Sequence, residues 1–313
     1  MSDDAPRTGG SPPGSVLASW GLRFSDVSIV AGGLNNRHWR VESAIGSFAL
    51  RRYGLDAVAD GVAYEHSWLK TLSEAAVWVP RPVATAAGVT VVEAEGHLWA
   101  LFEWLSGSGP NRLDATVAAG AGEALARAHA SSEGMGTPRS GWGLLVDFAD
   151  RPRWSGWTMR AALPAYRQEQ PDLAETVASV VDRIEGPLEG RRQALEAHVV
   201  VVHYDLHPEN LRVVNHRVGI LDWDFAHPDA RAVDLAIVLR NWPEGFDAFL
   251  AGYEVVSQLS PDEREALPLL AIARGLDHLA DRLTRWAAGS PDPIEEIEAE
   301  LADVNSRLEL LGI

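Results

Sequence analysis

The chain has 313 residues, a formal net charge of −17 at pH 7 and 46% hydrophobic residues. This length is enough for two folded units with cores of their own, and the acidic balance argues against nucleic acid as a partner, because phosphate backbones attract basic surfaces. No apolar run approaches the roughly 18 residues of a membrane-spanning helix, and the absence of cysteine excludes disulfides and fits a cytoplasmic protein.

The first residues have the composition of a tail rather than of a targeting segment. Residues 1–15 are rich in Ser, Asp, Pro and Gly and lack the apolar centre of a signal peptide, so we expect a disordered tail. Residues 31–41 then place Gly33, Asn35 and Asn36 between apolar segments. This pattern predicts a hairpin loop whose backbone N–H groups could approach a phosphate, with a plain glycine turn as the simpler interpretation.

A strand and a helix follow, and each carries one charged residue on its inward side. Phe48 to Tyr53 read as a strand in which period-two alternation places Ala49 and Arg51 on one face. The helix has an inward stripe that includes Glu65, and a buried carboxylate needs a cation. We predict that Arg51 pairs with Glu65; the alternative is that Glu65 lies at the edge of the stripe and reaches water. The stripe consists of Val58, Val62, Glu65, Leu69 and Leu72.

The predicted elements then change from strands to helices. Residues 89–92 and 98–104 read as two more strands, which completes a small antiparallel sheet with one helix. Glycine and proline at positions 107–110 mark a boundary, so we predict an N-terminal unit over residues 16–105 and a C-terminal unit over residues 106–313. A helix is predicted from Ala115 to Ala130, with His129 packed inside it as a structural residue.

The most informative stretch is residues 201–230. His203, Asp205 and Asn210 have the H-x-D-x-x-x-x-N spacing of a kinase catalytic loop. In kinases a metal-binding Asp follows this loop, and Asp222 occupies the corresponding position. Asp205 would accept the proton of an acceptor hydroxyl, whereas Asn210 and Asp222 offer the hard oxygen ligands that Mg²⁺ prefers. Polar turns between short strands are the alternative; the strands are predicted at Val199–Val202, Leu211–Val214 and Val218–Leu221.

A helix is predicted from Pro268 to Ala288 in the C-terminal unit. Asp277 and Asp281 lie one position beyond its apolar stripe and share a neighbouring face. We consider both acids, together with Trp242, as candidates for contact with an acceptor. A solvated helix face explains the two acids at least as well.

The quoted motif resembles the aminoglycoside phosphotransferase and choline kinase superfamily. Residues 203–210 read H-Y-D-L-H-P-E-N and residues 221–224 read L-D-W-D, similar to the signatures of that superfamily. The resemblance implies an α+β, protein-kinase-like fold of two lobes, with a small antiparallel-sheet N-lobe and a mostly helical C-lobe. It also implies that Asp234 braces the catalytic loop from the start of a helix.

The resemblance further assigns the nucleotide contacts. It implies phosphate contact by the loop that contains Gly33, Asn35 and Asn36, and adenine contact by the linker at Glu103 and Leu105. Arg51 occupies the position of the lysine that reaches the phosphates, which leaves the detailed phosphate geometry open.

We therefore predict an ATP- and Mg²⁺-dependent O-phosphotransferase, with GTP as an alternative donor. Its acceptor is a small hydroxylated molecule, with an amine-bearing antibiotic or sugar slightly preferred because of the acidic charge. The alternatives are a metabolic kinase of the same fold that acts on choline, homoserine or a sugar, and a noncatalytic nucleotide-binding protein. No membrane partner is expected.

Overall fold

The computed structural model describes residues 11–30, 36–55, 57–110, 114–132, 139, 142–152, 156–289 and 292–311. The chain divides into two compact units: the first comprises Met1–Gly107 and Gly219–Asp224, and the second comprises Ser108–Val218 and Phe225–Ile313. The sequence-based boundary assigned residues 219–224 to the C-terminal unit. Most of the expected tail lies outside the described residues, but its last two residues begin a short helix, α1 (Gly14–Ala18).

The first unit is an antiparallel sheet with one long helix. The sheet has the strand order β1-β2-β3-β5-β4. Its strands are β1 (Phe24–Val30), β2 (Arg37–Ser43), β3 (Gly46–Arg52), β4 (Val92–Ala94) and β5 (His97–Glu103), and the long helix is α2 (Ala59–Glu74).

One predicted strand of this unit is wrong. Residues 89–92 lie almost entirely outside β4, which begins at Val92. The chain turns just before this run: the N–H of Gly88 donates to the carbonyl of Thr85, and the N–H of Thr85 donates to the carbonyl of Val89. Gly88 has φ +81°, a left-handed conformation that glycine adopts without steric cost. The turn therefore ends at the first residue of the predicted strand, and β4 begins only at its last.

Alternation along β2 and β3 creates the core of the first unit. Trp39 pairs with Leu50 and Val41 with Phe48, so these four side chains point to one face, where Trp39 also stacks on Trp99 with the ring centroids 5.6 Å apart. All are buried. Since side chains alternate between the faces of a strand, the intervening residues of β3 point to the opposite face.

The second unit is mostly helical. Its helices are α3 (Ala115–Ser131), α4 (Met159–Glu169), α5 (Pro171–Glu189), α6 (Arg192–Glu196), α7 (Ala232–Asn241), α8 (Phe246–Glu254), α9 (Pro261–Ala287) and α10 (Ile294–Leu311). Three short strands belong to it: β6 (Val199–Val202), β7 (Leu211–Val214) and β9 (His227–Ala230). Strand β8 (Arg217–Ile220) begins in this unit and ends in the first. The strands form the pairs β6-β9 and β7-β8. Within the described part of the chain, no helix has the length and hydropathy needed to cross a membrane.

Helix α9 begins earlier than predicted. Ser260 accepts a hydrogen bond from the N–H of Glu263, and the Glu263 carboxylate accepts one from the N–H of Ser260. This capping box satisfies the free N–H groups of the first turn. Pro268, which was expected to start the helix, lies inside it.

Helices α3 and α8 approach each other so closely that their contact requires glycine. A Cβ added to Gly122 would lie 2.0 Å from the carbonyl oxygen of Phe249, and a Cβ added to Gly252 would lie 2.0 Å from that of Ala119. Real side-chain carbons cannot come so near backbone atoms, so the two helices would have to separate.

We predict that Gly252→Ala lowers the free energy of unfolding by about 3 kcal/mol, the upper end for overpacking, because the colliding atoms belong to the backbone. Urea unfolding followed by circular dichroism would measure the loss. Gly186→Ala on α5 is the matched control, because nothing lies within 4 Å of its added Cβ; it should gain about 1 kcal/mol from helix propensity. Similar effects of the two substitutions would contradict the close packing.

Candidate active site

The first unit contains a buried ion pair on the inner face of its sheet. Arg51 on β3 donates from Nη1 to Oε1 of Glu65 on α2 at 2.9 Å. The two residues are 7% and 1% exposed. The pair predicted from the strand alternation and the helix stripe is confirmed, and the alternative that Glu65 reaches water is wrong.

Arg51 has two further acceptors. Its Nη2 donates to Oδ1 of Asp222 at 3.0 Å, and its Nε donates to Nε2 of His38 at 2.9 Å. Because His38 accepts at Nε2, its ring is neutral; desolvation and then the charge of Arg51 lower the pKa of His38 to about 4. A planar guanidinium carries donors in several fixed directions, which a lysine ammonium does not. The structure thus gives a physical reason for arginine at this position.

The second oxygen of Glu65 is also engaged. The hydroxyl of Tyr53 donates to Oε2 of Glu65 at 3.0 Å and lies 3.0 Å from Nε2 of His66. Burial and the charge of Glu65 raise the pKa of Tyr53, which keeps its hydroxyl protonated. Sequence reasoning missed Tyr53 and His38, although both follow from the alternation and register of β2 and β3 once the sheet is known.

Asp222 and Asp224 lie at the end of residues 219–224, the later part of the chain that belongs to the first unit. Asp222 has φ +61°, and its side chain is 35% exposed while Arg51 holds one oxygen. Asp224 accepts a hydrogen bond at Oδ2 from Nδ2 of Asn36 at 2.9 Å. Desolvation and then the nearby charge of Asp222 raise the pKa of Asp224 to about 7. The Asp224 carboxyl therefore holds a proton more readily than an exposed aspartate does.

The other predicted nucleotide contacts have mixed outcomes. Gly33 and Asn35 lie outside the described residues. Asn36 donates to Asp224 and also accepts a hydrogen bond from the N–H of Gly54 at 3.3 Å. Its side chain therefore links the start of β2 to the residues after β3 and to Asp224. Glu103 pairs with Arg81 through its side chain, and its N–H donates to the Arg81 carbonyl at 2.9 Å. Leu105 is buried. Nucleotide contact by these residues remains a prediction.

In the second unit, a buried carboxylate holds the loop that was predicted to be catalytic. Asp234 on α7 accepts hydrogen bonds from the N–H groups of His203 and Tyr204, each at 2.7 Å, and its Oδ2 lies 2.9 Å from Nε2 of His129. Although burial acts to raise it, the pKa of Asp234 is lowered by the bond from His129 and by His203. The predicted brace is confirmed, and so is the packed position of His129, which is 1% exposed.

The same loop brings Asp205 and Asn210 together. Nδ2 of Asn210 donates to the carbonyl of Asp205 at 3.0 Å and to Nε2 of His207 at 3.0 Å. His207 also lies 3.7 Å from Oδ2 of Asp205. Both amide hydrogens of Asn210 are thereby engaged, which leaves Oδ1 as its ligand atom. The Asp205 side chain is 36% exposed. This exposure agrees with the predicted role of Asp205, because a general base must contact its substrate.

The acceptor candidates are placed differently from one another. Asp277 is 1% exposed and pairs with Arg151 at 2.7 Å, so a solvated face is wrong for this residue. Asp281, one turn later on α9, is partly buried. Trp242 is 1% exposed and packs against Phe249 with the ring centroids 5.6 Å apart. Trp242 is therefore a packing residue, and its position does not support the prediction of acceptor contact.

Each unit contains one predicted metal ligand with an oxygen of the type that Mg²⁺ prefers. Asn210 in the second unit has an amide oxygen, and Asp222 in the first has a carboxylate. Among the described residues, no group of three or more His, Asp and Glu could hold a metal by itself. Magnesium binding by Asn210 and Asp222 remains a prediction.

A model of the phosphotransferase enzyme family matches residues 26–270. The chain belongs to this family. Curated relatives include a homoserine kinase from Bradyrhizobium sp. (strain ORS 278), 30% identical over an alignment of 292 positions that covers 86% of this chain and 84% of the relative. Another homoserine kinase, from Xanthobacter autotrophicus, is 30% identical over 82% of this chain and 79% of the relative. The predicted phosphotransferase activity, with a hydroxyl group of a small molecule as acceptor, is confirmed at this level.

Solved structures of small-molecule kinases share the fold. An amicoumacin kinase in complex with AMP-PNP and Ca²⁺ has a TM-score of 0.66 at 16% identity and covers 94% of this chain and 92% of its own. A microcompartment-associated aminopropanol kinase has a TM-score of 0.64 at 17% identity and covers 94% and 93%. The predicted protein-kinase-like α+β fold is confirmed.

In this phosphotransferase, Glu65→Ala should lower the free energy of unfolding by about 3 to 5 kcal/mol, because it leaves the Arg51 charge buried without its main partner. Chemical denaturation would measure the change. Glu74→Ala on the same helix is the matched control: Glu74 pairs with Lys70 at 4.0 Å, with side chains 68% and 76% exposed. Its loss should be at most about 0.5 kcal/mol. Equal losses would show that the Arg51 pair contributes no more than an exposed pair.

Proposed function

We propose that this phosphotransferase transfers the γ-phosphoryl group of ATP to the hydroxyl of a small amino alcohol, with Asp205 as the general base. The observation that carries the proposal is the catalytic loop: Asp234 holds the backbone at His203 and Tyr204, and Asn210 fastens the Asp205 carbonyl. Phosphoryl transfer needs positioned groups more than covalent help, and this loop is held at both ends.

Each side chain has a role that follows from its chemistry. Asp205 accepts the proton of the acceptor hydroxyl as the oxygen attacks phosphorus. Asn210 and Asp222 would hold Mg²⁺, which neutralises charge that develops on the phosphoryl oxygens. Arg51 directs positive charge at the nucleotide and fixes the Asp222 carboxylate, and Glu65 fixes Arg51. Arginine in place of the usual lysine is the one departure from the family pattern that favours a noncatalytic protein. It carries little weight, because Arg51 makes the ion pair with Glu65.

Homoserine is the first acceptor to test. The relatives at 30% identity are named as homoserine kinases and align over most of this chain, whereas the antibiotic kinases resemble it in fold at 16% identity. A net charge of −17 also favours an acceptor that carries an ammonium group. These observations move the preference from an antibiotic to a small amino alcohol, and a cytoplasmic location fits the use of ATP.

The test is a panel of acceptors assayed with ATP and with GTP in the presence of Mg²⁺. We expect homoserine to have the highest kcat/KM, ahead of choline, aminopropanol, aminoglycosides and sugars. A higher value for an aminoglycoside would overturn the amino alcohol proposal and restore the antibiotic alternative. Stabilisation by ATP and Mg²⁺ without transfer to any acceptor would instead favour nucleotide binding alone.

Asp205→Asn should lower kcat by about 10²- to 10⁴-fold, the range for removal of a general base, with little change in the Kd for ATP. Asp172→Asn is the matched control, because Asp172 is an exposed residue in the first turn of α5; its kcat should match that of the native chain. Transfer that survives Asp205→Asn unchanged would refute the role of Asp205.

A further inference from the structure

Tyr204 stands directly before Asp205 in a conformation that its side chain disfavours. It has φ +70°, in the left-handed region that glycine adopts without cost and that bulky residues rarely occupy. A residue stays in such a conformation only when its surroundings hold it there. Glycine would adopt this backbone conformation without strain, so the presence of tyrosine indicates that the side chain itself has a function.

That side chain ends in a buried cluster of charged groups. Tyr204 is 2% exposed, and its hydroxyl donates to Oδ2 of Asp277 on α9 at 2.7 Å. The same hydroxyl accepts from Nη2 of Arg151 at 2.5 Å. Burial raises the pKa of Tyr204, so the hydroxyl stays protonated and can keep its donor role.

The cluster is itself anchored on several sides. Asp277 accepts from Arg151 at 2.7 Å and from Arg274 at 3.2 Å. Arg151 also donates to the carbonyl of Gly143 at 2.8 Å, and the guanidinium of Arg274 lies 4.3 Å from the centre of the Tyr204 ring. The Tyr204 hydroxyl is therefore held by groups that have other fixed partners, which limits where the residue before Asp205 can move.

We propose that Asp277 and Arg151 are positioning residues, which hold Tyr204 by its hydroxyl and thereby set the orientation of the Asp205 carboxylate. Asp234 fixes the backbone N–H groups of the loop, and Asn210 fastens the Asp205 carbonyl. The Tyr204 side chain supplies a further attachment, at the residue directly before Asp205, and restrains rotation of the backbone there. The inference rests on the proposed role of Asp205, and it gives Asp277 a task other than acceptor contact.

Tyr204→Phe tests the attachment, because it removes the hydroxyl and keeps the ring. We expect kcat to fall about 10- to 100-fold, as displacement of a reacting group by about 1 Å can cause, with the KM for ATP within twofold of its native value. Tyr166→Phe is the matched control: Tyr166 is a buried tyrosine of the same unit that packs on Trp286. Its kcat should not change. A kcat unchanged in Tyr204→Phe, with only the Tm lowered, would overturn the proposal.

A second variant tests whether the cluster acts through Tyr204. Asp277→Asn keeps the size of the side chain and weakens its bonds to the arginines, so it should also lower kcat. In the Tyr204→Phe background, Asp277→Asn should lower kcat by less than threefold further. Multiplicative effects would show that Asp277 acts by another route.

Amide hydrogen exchange provides a readout that does not depend on turnover. The N–H groups of His203 and Tyr204 donate to Asp234 on α7, and the N–H of Asp205 donates to Nδ1 of His203. In Tyr204→Phe the exchange of these three groups should be at least tenfold faster while β6 keeps its protection. Unchanged exchange would refute the attachment through Tyr204 even if no acceptor were found. Conversely, faster exchange together with full activity of Asp205→Asn would refute the base and leave the attachment standing.

Discussion

The constraint on which this structure depends is that a buried charge must have a partner. Burying an isolated carboxylate or guanidinium is so unfavourable that the fold must bring an opposite charge or several N–H donors to it. Each unit contains such an arrangement: Arg51 with Glu65 in the first, and Asp234 with the backbone of the loop at His203 and Tyr204 in the second. In the first unit, Glu65 holds the buried Arg51, which is proposed to contact phosphate. In the second, the buried Asp234 holds the loop that carries the proposed base Asp205.

The charged residues of the first unit affect its stability in opposite directions. Arg51 is stabilised by its neighbours, whereas the ionised form of Asp224 is destabilised. Arg51 gains from each of its acceptors, so the ion pair both stabilises the first unit and fixes Asp222. Asp224 behaves in the reverse sense, because desolvation and the charge of Asp222 raise its pKa to about 7. A protein selected for stability alone would not place two carboxylates side by side, and strain of this kind is typical of functional sites.

The sequence predicted the parts of the site that depend on local spacing. Glu65 and Arg51 could be paired because helix and strand periodicities are properties of short segments, and β6 and β7 have the predicted bounds. The burial of Asp277 could not be foreseen, since its partner Arg151 lies 126 positions away. His38 required the register between β2 and β3, and β9 was missed because His227-Pro228-Asp229-Ala230 has no apolar alternation. Long-range pairing, rather than local propensity, decided these cases.

The central proposal is that Mg²⁺ assists phosphoryl transfer, with Asn210 and Asp222 as its proposed protein ligands. The most direct test is the rate of transfer from ATP as a function of Mg²⁺ concentration, measured for the native chain and for Asp222→Asn. We predict that the native chain loses its activity in EDTA. Asp222→Asn should need far more Mg²⁺ and reach a rate lower by about 10²-fold or more, because one of the two protein ligands loses its charge. A native rate that persists in EDTA, or an unchanged Mg²⁺ dependence in Asp222→Asn, would contradict the account.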